Sequence, residues 1–265
     1  MPTAESNGVH LHYEISGCGG APVLVLVHSL GSNLNMWNKV LPAFEDGFRV
    51  LRADLRGHGK SEVAGETFTI EQLGRDVLRL MDEVGAEKAS ICGASLGGLV
   101  TLWLGIHAPD RLNRLILANT AARIGSREMW EQRIETVKAI GMEALSAAAL
   151  ERWFTPAFRN NHRSEMERMR GMIAATDPQG YAACCAVLRE ADLRADATRV
   201  QAASLVITGT HDPATSPADG HTLHTAIQHS NYVELNASHM SAWECGDEFA
   251  GAVVEHLTAT EVMHG

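Results

Sequence analysis

A serine framed by glycines two residues to either side, Gly93-Ala94-Ser95-Leu96-Gly97, fits the pattern G-x-S-x-G. Residues 88–92 before it read as a short buried strand, and residues 98–104 after it as an apolar helix. A serine at so sharp a strand-to-helix turn presents its hydroxyl, and small neighbours let strand and helix pass closely. The chemistry this suggests is acyl transfer. A serine nucleophile needs a general base, and the base needs an orienting carboxylate. On a strand-turn-helix elbow these follow in the order Ser, acid, His. The acid candidate is Asp212, in Thr208-Gly209-Thr210-His211-Asp212-Pro213, just after one strand. The base candidate is His239, in Asn236-Ala237-Ser238-His239, just after the last strand. The competing readings are a turn residue before proline for Asp212 and a loop-capping imidazole for His239. An oxyanion hole needs two backbone N–H donors. Leu96, after the nucleophile, supplies one, and Leu30, in His28-Ser29-Leu30-Gly31, is expected to supply the other. His28 precedes Ser95 and is read as bracing that loop. The Gly-rich stretch from Asp54 to Ser61 lacks a phosphate-binding signature and reads as a structural turn near the site.

These groups need a scaffold that gathers them. Strand signals fall at 8–16, 23–27, 50–53, 88–92, 112–118, 204–208 and 231–235, with an amphipathic helix at 70–84 and a closing helix at 247–257. Strand and helix alternate, which requires right-handed crossovers and a mostly parallel sheet covered on both faces. In such sheets reactive groups collect at the carboxyl ends of the strands. From 121 to 197 strand signals vanish and helical patterns run at 127–140, 142–153, 163–174 and 180–190. The expected organisation is an α/β core of residues 1–120 and 198–265, with 121–197 a helical cap over the carboxyl ends.

A chain of 265 residues can bury a full core in one domain plus an insertion. Its net charge of −10 argues against nucleic acid or an anionic membrane surface as partner. No run is apolar enough to span a bilayer and no secretion signal opens the chain, so a cytoplasmic protein is expected. Five scattered cysteines read as reduced thiols, with Cys184-Cys185 a small apolar pair on a helix. The thirteen histidines show no metal-ligand spacing, so no metal is expected. A homo-oligomer is left open.

Taken together, the loop at Leu30, Asp54-x-Arg56-Gly57-His58-Gly59-x-Ser61, the elbow at Ser95, Gly209-Thr210-His211-Asp212 and the late His239 resemble the α/β-hydrolase superfamily. Within it the chain is similar to the 3-oxoadipate enol-lactonases of aromatic-compound catabolism. That narrower resemblance rests on Ser29-Leu30-Gly31 with Met36-Trp37 and on residues 117–125, 151–158, 174–181 and 209–215. Leu96 and Ala94 depart from the Met and Leu usual in those relatives and leave the backbone role intact. The resemblance implies ring-opening hydrolysis of an enol-lactone through an acyl-enzyme, with no cofactor. Such a lactone is a small anion, so the pocket should offer a cation or several hydrogen-bond donors. Arg123 and Arg133 are candidates, and Trp130 is a candidate aromatic wall. The alternatives are a generic carboxylesterase or lactonase, a C–C bond hydrolase, and a non-catalytic binding module on the same fold.

Overall fold

The computed structural model describes residues 2–63, 65 and 67–259. Among these, eight strands form one sheet: β1 (Thr3–Ser6), β2 (Val9–Gly17), β3 (Val23–Val27), β4 (Arg49–Ala53), β5 (Ala89–Ala94), β6 (Leu112–Ala118), β7 (Ala203–Gly209) and β8 (Ser230–Leu235). Their order across the sheet is β1-β2-β4-β3-β5-β6-β7-β8. From β4 to β8 every pairing is parallel, while β1 and β2 extend the edge antiparallel. The central strands read as continuous apolar runs because helices cover both faces. β1 carries no apolar run and is not expected from the sequence. It forms by pairing with β2 from Thr3 opposite His12 to Ser6 opposite Val9.

The helices are α1 (Leu41–Glu45), α2 (Ile70–Glu83), α3 (Leu96–His107), α4 (Arg127–Trp153), α5 (Pro156–Asn161), α6 (Arg163–Ala174), α7 (Pro178–Glu190), α8 (Pro217–Ala226), α9 (Ser241–Glu244) and α10 (Gly246–Thr258). α2 starts in a capping box, Thr69 and Gln72 each satisfying the other's backbone N–H. It buries Leu73, Val77, Leu80 and Met81, one face at helical spacing. α5 and α8 are additional to the sequence reading. Both begin at a capped Thr-Pro or Ser-Pro step, where proline at the first helical position needs no N–H partner.

α4 to α7 are inserted in the crossover from β6 to β7. β6 still pairs directly with β7, from Arg114 opposite Ala203 to Ala118 opposite Ile207, so the insertion leaves the sheet unbroken. Gly141 breaks α4 with φ 73° and ψ 179°, at the boundary expected between two helices. That backbone conformation favours glycine.

The sheet order also locates a crevice. From β3 the chain goes to β4 on one side, and β5 pairs with β3 on the other. Loops leaving β3 and β5 therefore diverge, opening a gap at the carboxyl ends. Residues 28–31 and Ser95 stand there.

Candidate active site

Ser95 is the single residue between β5 and α3. Its φ of 54° and ψ of −115° lie in a sparsely populated region that costs about 1–3 kcal/mol, so the surroundings must hold it. They do so through the Ser95 N–H on Ala118 O (2.9 Å) and Thr120 Oγ1 on Ser95 O (2.8 Å). The flanking glycines are steric requirements. A Cβ on Gly93 would strike the Gly97 carbonyl and Thr101 Oγ1, and one on Gly97 would strike the Val27 carbonyl.

His239 Nδ1 donates to Asp212 Oδ2 at 2.7 Å, with both side chains buried. Asp212 follows β7 and His239 follows β8. The two loops touch so closely that a Cβ on Gly209 would meet the carbonyls of Ala237 and Ser238. The Asp212 carboxylate also accepts the N–H groups of Ala214 (2.8 Å) and Thr215 (3.0 Å), Thr215 Oγ1 (2.8 Å) and Asn119 Nδ2 (3.1 Å). Burial alone would raise its pKa. The imidazole's charge and hydrogen bond, with the two amides, outweigh burial and hold it below the usual carboxylate value. A carboxylate anchored by five donors keeps Nδ1 of His239 protonated, which leaves Nε2 as the basic nitrogen. Ser95 and His239 line one cavity. Ser95 Oγ makes no hydrogen bond to the ring here, and such pairs are commonly looser without substrate.

The sequence singles out no role for Asn119, yet it joins the site. It follows β6 with φ 44°, and its amide also reaches Ser238 O (3.3 Å) while its Oδ1 accepts from Ser241 Oγ. It thereby ties the acid loop to the histidine loop. The end of α4 is stapled to the same loop, Ser238 Oγ donating to Arg152 O (2.8 Å) and Met240 N to Trp153 O (2.9 Å). These bonds flank His239 and satisfy carbonyls that a helix C-terminus leaves open.

Leu96 opens α3, so its N–H is free of an intrahelical partner. Leu30 lies in the loop after β3, lining the same cavity as Ser95. Two histidines hold that loop to residues 54–61. His28 Nδ1 donates to Ser29 O (2.8 Å) while its Nε2 accepts the Leu55 N–H (2.8 Å), and His58 Nε2 accepts the Gly31 N–H (3.0 Å). Burial pulls His28 down to about 4. Burial first, then the neighbouring His28, pulls His58 down to about 3. Unfolded, both would titrate near 6.5. Below that pH the unfolded chain binds protons that the folded one refuses, so stability falls as pH drops from 6.5 towards 4. Unfolding in urea at pH 5 should cost about 2 kcal/mol less per histidine than at pH 7. Equal stabilities at the two pH values would mean that these rings are not held neutral.

The cavity enclosed between the strand ends and α4–α7 measures about 270 Å³. Trp130 lines it, its Nε1 spent on Ile124 O (2.6 Å), and Met142, Leu145 and Ile173 add apolar surface. Arg133 lines it too. Arg123 does not. Its guanidinium pairs with Asp192 at 3.3 Å on the outside, a nearby carboxylate that outcompetes the cavity. The second cavity cation is Arg152, not foreseen from the sequence. Burial lowers the Arg152 pKa and the charge of Arg133 lowers it further. Tyr181 stands beside both, its phenol pushed up to about 12 by burial and then by Cys185, against the pull of the two arginines. Among the described residues, neither Arg133 nor Arg152 forms an ion pair with a carboxylate.

Comparison with known proteins agrees with this fold. Residues 22–244 match the family model of the alpha/beta hydrolase fold. The chain is 40% identical over 251 residues to 3-oxoadipate enol-lactonase 2 of Acinetobacter baylyi, spanning 95% of this chain and 94% of that one. Its structure is similar to the enol-lactonase from Burkholderia xenovorans LB400, with a TM-score of 0.96, 45% identity and coverage of 97% and 100%. It is also similar to a thermophilic esterase from Thermogutta terrifontis, with a TM-score of 0.89, 29% identity and 96% of each chain covered.

Proposed function

Because the chain belongs to the α/β-hydrolase family, a hydrolase of ester bonds by its relatives, we propose that it opens an enol-lactone bearing a free carboxylate, such as 3-oxoadipate enol-lactone. One observation carries the reading beyond ester hydrolysis in general. Two guanidiniums without carboxylate partners face the cavity that holds Ser95. Holding two like charges side by side in one half-buried cavity wall is costly unless an anion joins them. The whole molecule, at −10, repels such a substrate, so the attraction must be local. Arg133 and Arg152 bind the substrate carboxylate in this reading, Trp130 packs on the ring, and α4–α7 serve as the lid.

The steps follow from the residues. Ser95 Oγ gives its proton to His239 Nε2 and attacks the lactone carbonyl carbon. The carbonyl oxygen becomes an oxyanion, held by the N–H groups of Leu30 and Leu96. Asp212 stabilises the imidazolium. Collapse of the adduct breaks the ring C–O bond. The enolate that leaves takes up the proton and tautomerises to the ketone, an easier departure than an alkoxide. Water then gives a proton to His239 and attacks the acyl carbon. Ser95 recovers its proton and the second carboxylate is released.

Arg152→Met should raise KM for the anionic lactone by about 10- to 100-fold, since a hydrogen bond to a charged group is worth about 1.5–3 kcal/mol. KM for a neutral p-nitrophenyl ester should barely move. Parallel kinetics on the two substrates test this. A wild-type preference for the neutral ester, or an equal effect of Arg152→Met on both, would favour a general carboxylesterase instead.

A further inference from the structure

The stretch from Asp54 to Ser61 reads in sequence as a turn, and the mechanism above uses none of its side chains. It is nonetheless wired to the loop that carries Leu30. Leu30 sits between two peptide planes. The preceding plane contains the Ser29 carbonyl and the Leu30 N–H, which point in opposite directions in a trans peptide. That carbonyl accepts from His28 Nδ1 (2.8 Å), Ser32 Oγ (2.8 Å) and Ser32 N (3.2 Å). Pulling the oxygen one way aims the N–H the other way.

The following plane contains the Gly31 N–H, which donates to His58 Nε2 at 3.0 Å. Ser29 to Ser32 form a turn closed by the Ser32 N–H on Ser29 O, with Gly31 at φ 73° in its third position. A left-handed third residue is the mark of a type II turn, whose type I alternative differs by a flip of the central peptide. The Gly31 N–H belongs to that central peptide. His58 therefore holds the plane that follows Leu30, whose flip would bring the Leu30 carbonyl onto the Nε2 lone pair, and it anchors the turn to residues 54–61.

The His58 ring is itself fixed. It is buried, its Nδ1 faces Arg56 O (3.4 Å) and Cys184 Sγ of α7 (4.0 Å), and its centroid lies 5.4 Å from that of His28. Arg56 is clamped in turn by a bidentate bond to buried Asp76, both contacts 2.6 Å. Accepting at Nε2 requires the neutral ring with its proton on Nδ1.

We infer that His58 is a positioning residue of the oxyanion hole, anchoring the 29–32 turn at Gly31 so that the neighbouring Leu30 N–H meets the tetrahedral oxyanion. The inference rests on the serine-hydrolase reading above. A role of this kind is felt when charge develops on the carbonyl oxygen and not when the ester first binds.

The test uses p-nitrophenyl acetate, with an alkyl trifluoromethyl ketone as mimic of the tetrahedral adduct. His58→Leu, which removes the acceptor, should lower kcat by about 100-fold and weaken the ketone by a similar factor, with KM within about threefold. His58→Gln keeps an acceptor and should recover most of both losses. His58→Leu that binds the ketone as wild type does, or His58→Gln as poor as His58→Leu, would overturn the inference. ¹⁵N NMR of the wild-type His58 ring gives a check that needs no variant. Nε2 should be unprotonated at pH 7, and a protonated Nε2 overturns the inference. If the ketone fails to inhibit wild type, the serine-hydrolase reading itself falls and this inference with it.

Discussion

Ser95→Ala should lower kcat on the enol-lactone by about 10⁵- to 10⁶-fold while leaving KM and stability nearly unchanged. The hydroxyl is the only group removed. The bonds that hold the elbow are made by the Ser95 main chain, which donates to Ala118 O and accepts from Thr120 Oγ1 and Leu99 N. Alanine inherits the same φ of 54° at the same cost. The cavity, the imidazole and the two loop amides are untouched, so substrate should still bind. The remaining rate should exceed that in water by about 10³- to 10⁴-fold, the share left to the hole and the bound geometry. Loss of lactone absorbance measures it, with covalent labelling by a fluorophosphonate as a parallel readout. A variant retaining more than about 1% of wild-type kcat would assign the nucleophile to another group.

Asp212→Asn should cost about 10⁴-fold in kcat. The reason is the count of donors. Asp212 Oδ1 accepts the amides of Ala214 and Thr215, so an asparagine would place its oxygen there. Its NH₂ would then face Thr215 Oγ1, Asn119 Nδ2 and His239 Nδ1, which all donate to Oδ2 in the native protein. Nδ1 can relieve that clash by becoming an acceptor, which moves its proton to Nε2. An imidazole with its proton on Nε2 cannot take one from Ser95. The prediction is therefore a loss in kcat with substrate affinity kept, read from steady-state kinetics. A loss of less than about tenfold would mean that Asp212 does not set the tautomer.

The sequence reading reached the elbow because its glycines are steric necessities, and steric necessity leaves a pattern. It reached the central strands because burial on both faces leaves uninterrupted apolar runs. Gly141 divides α4 where the helical periodicity was expected to break. β1 was illegible, since four residues of mixed polarity become a strand only through β2. α8 was legible in principle. Ser216 and Asp219 form a capping box before a helix whose buried residues, Gly220 and Leu223, are too few to show a periodic face. The site residues divide along similar lines. Arg123 and Arg152 look alike in sequence, each a basic residue near a helix end. What separates them is Asp192 beside the first and the His239 loop stapled under the second, both contacts between distant segments. Asn119 was hidden for the same reason, since its three partners come from residues 212, 238 and 241.

The break at Gly141 lets both halves of α4 face one cavity, with Trp130 and Arg133 before it and Leu145 and Arg152 after it. The proposed nucleophile and base stand at the strand ends, while the cavity walls come largely from residues 124–181. Inheritance can treat the two separately. Substitutions on the walls change which ester enters and leave the elbow, the acid loop and the histidine loop as they are.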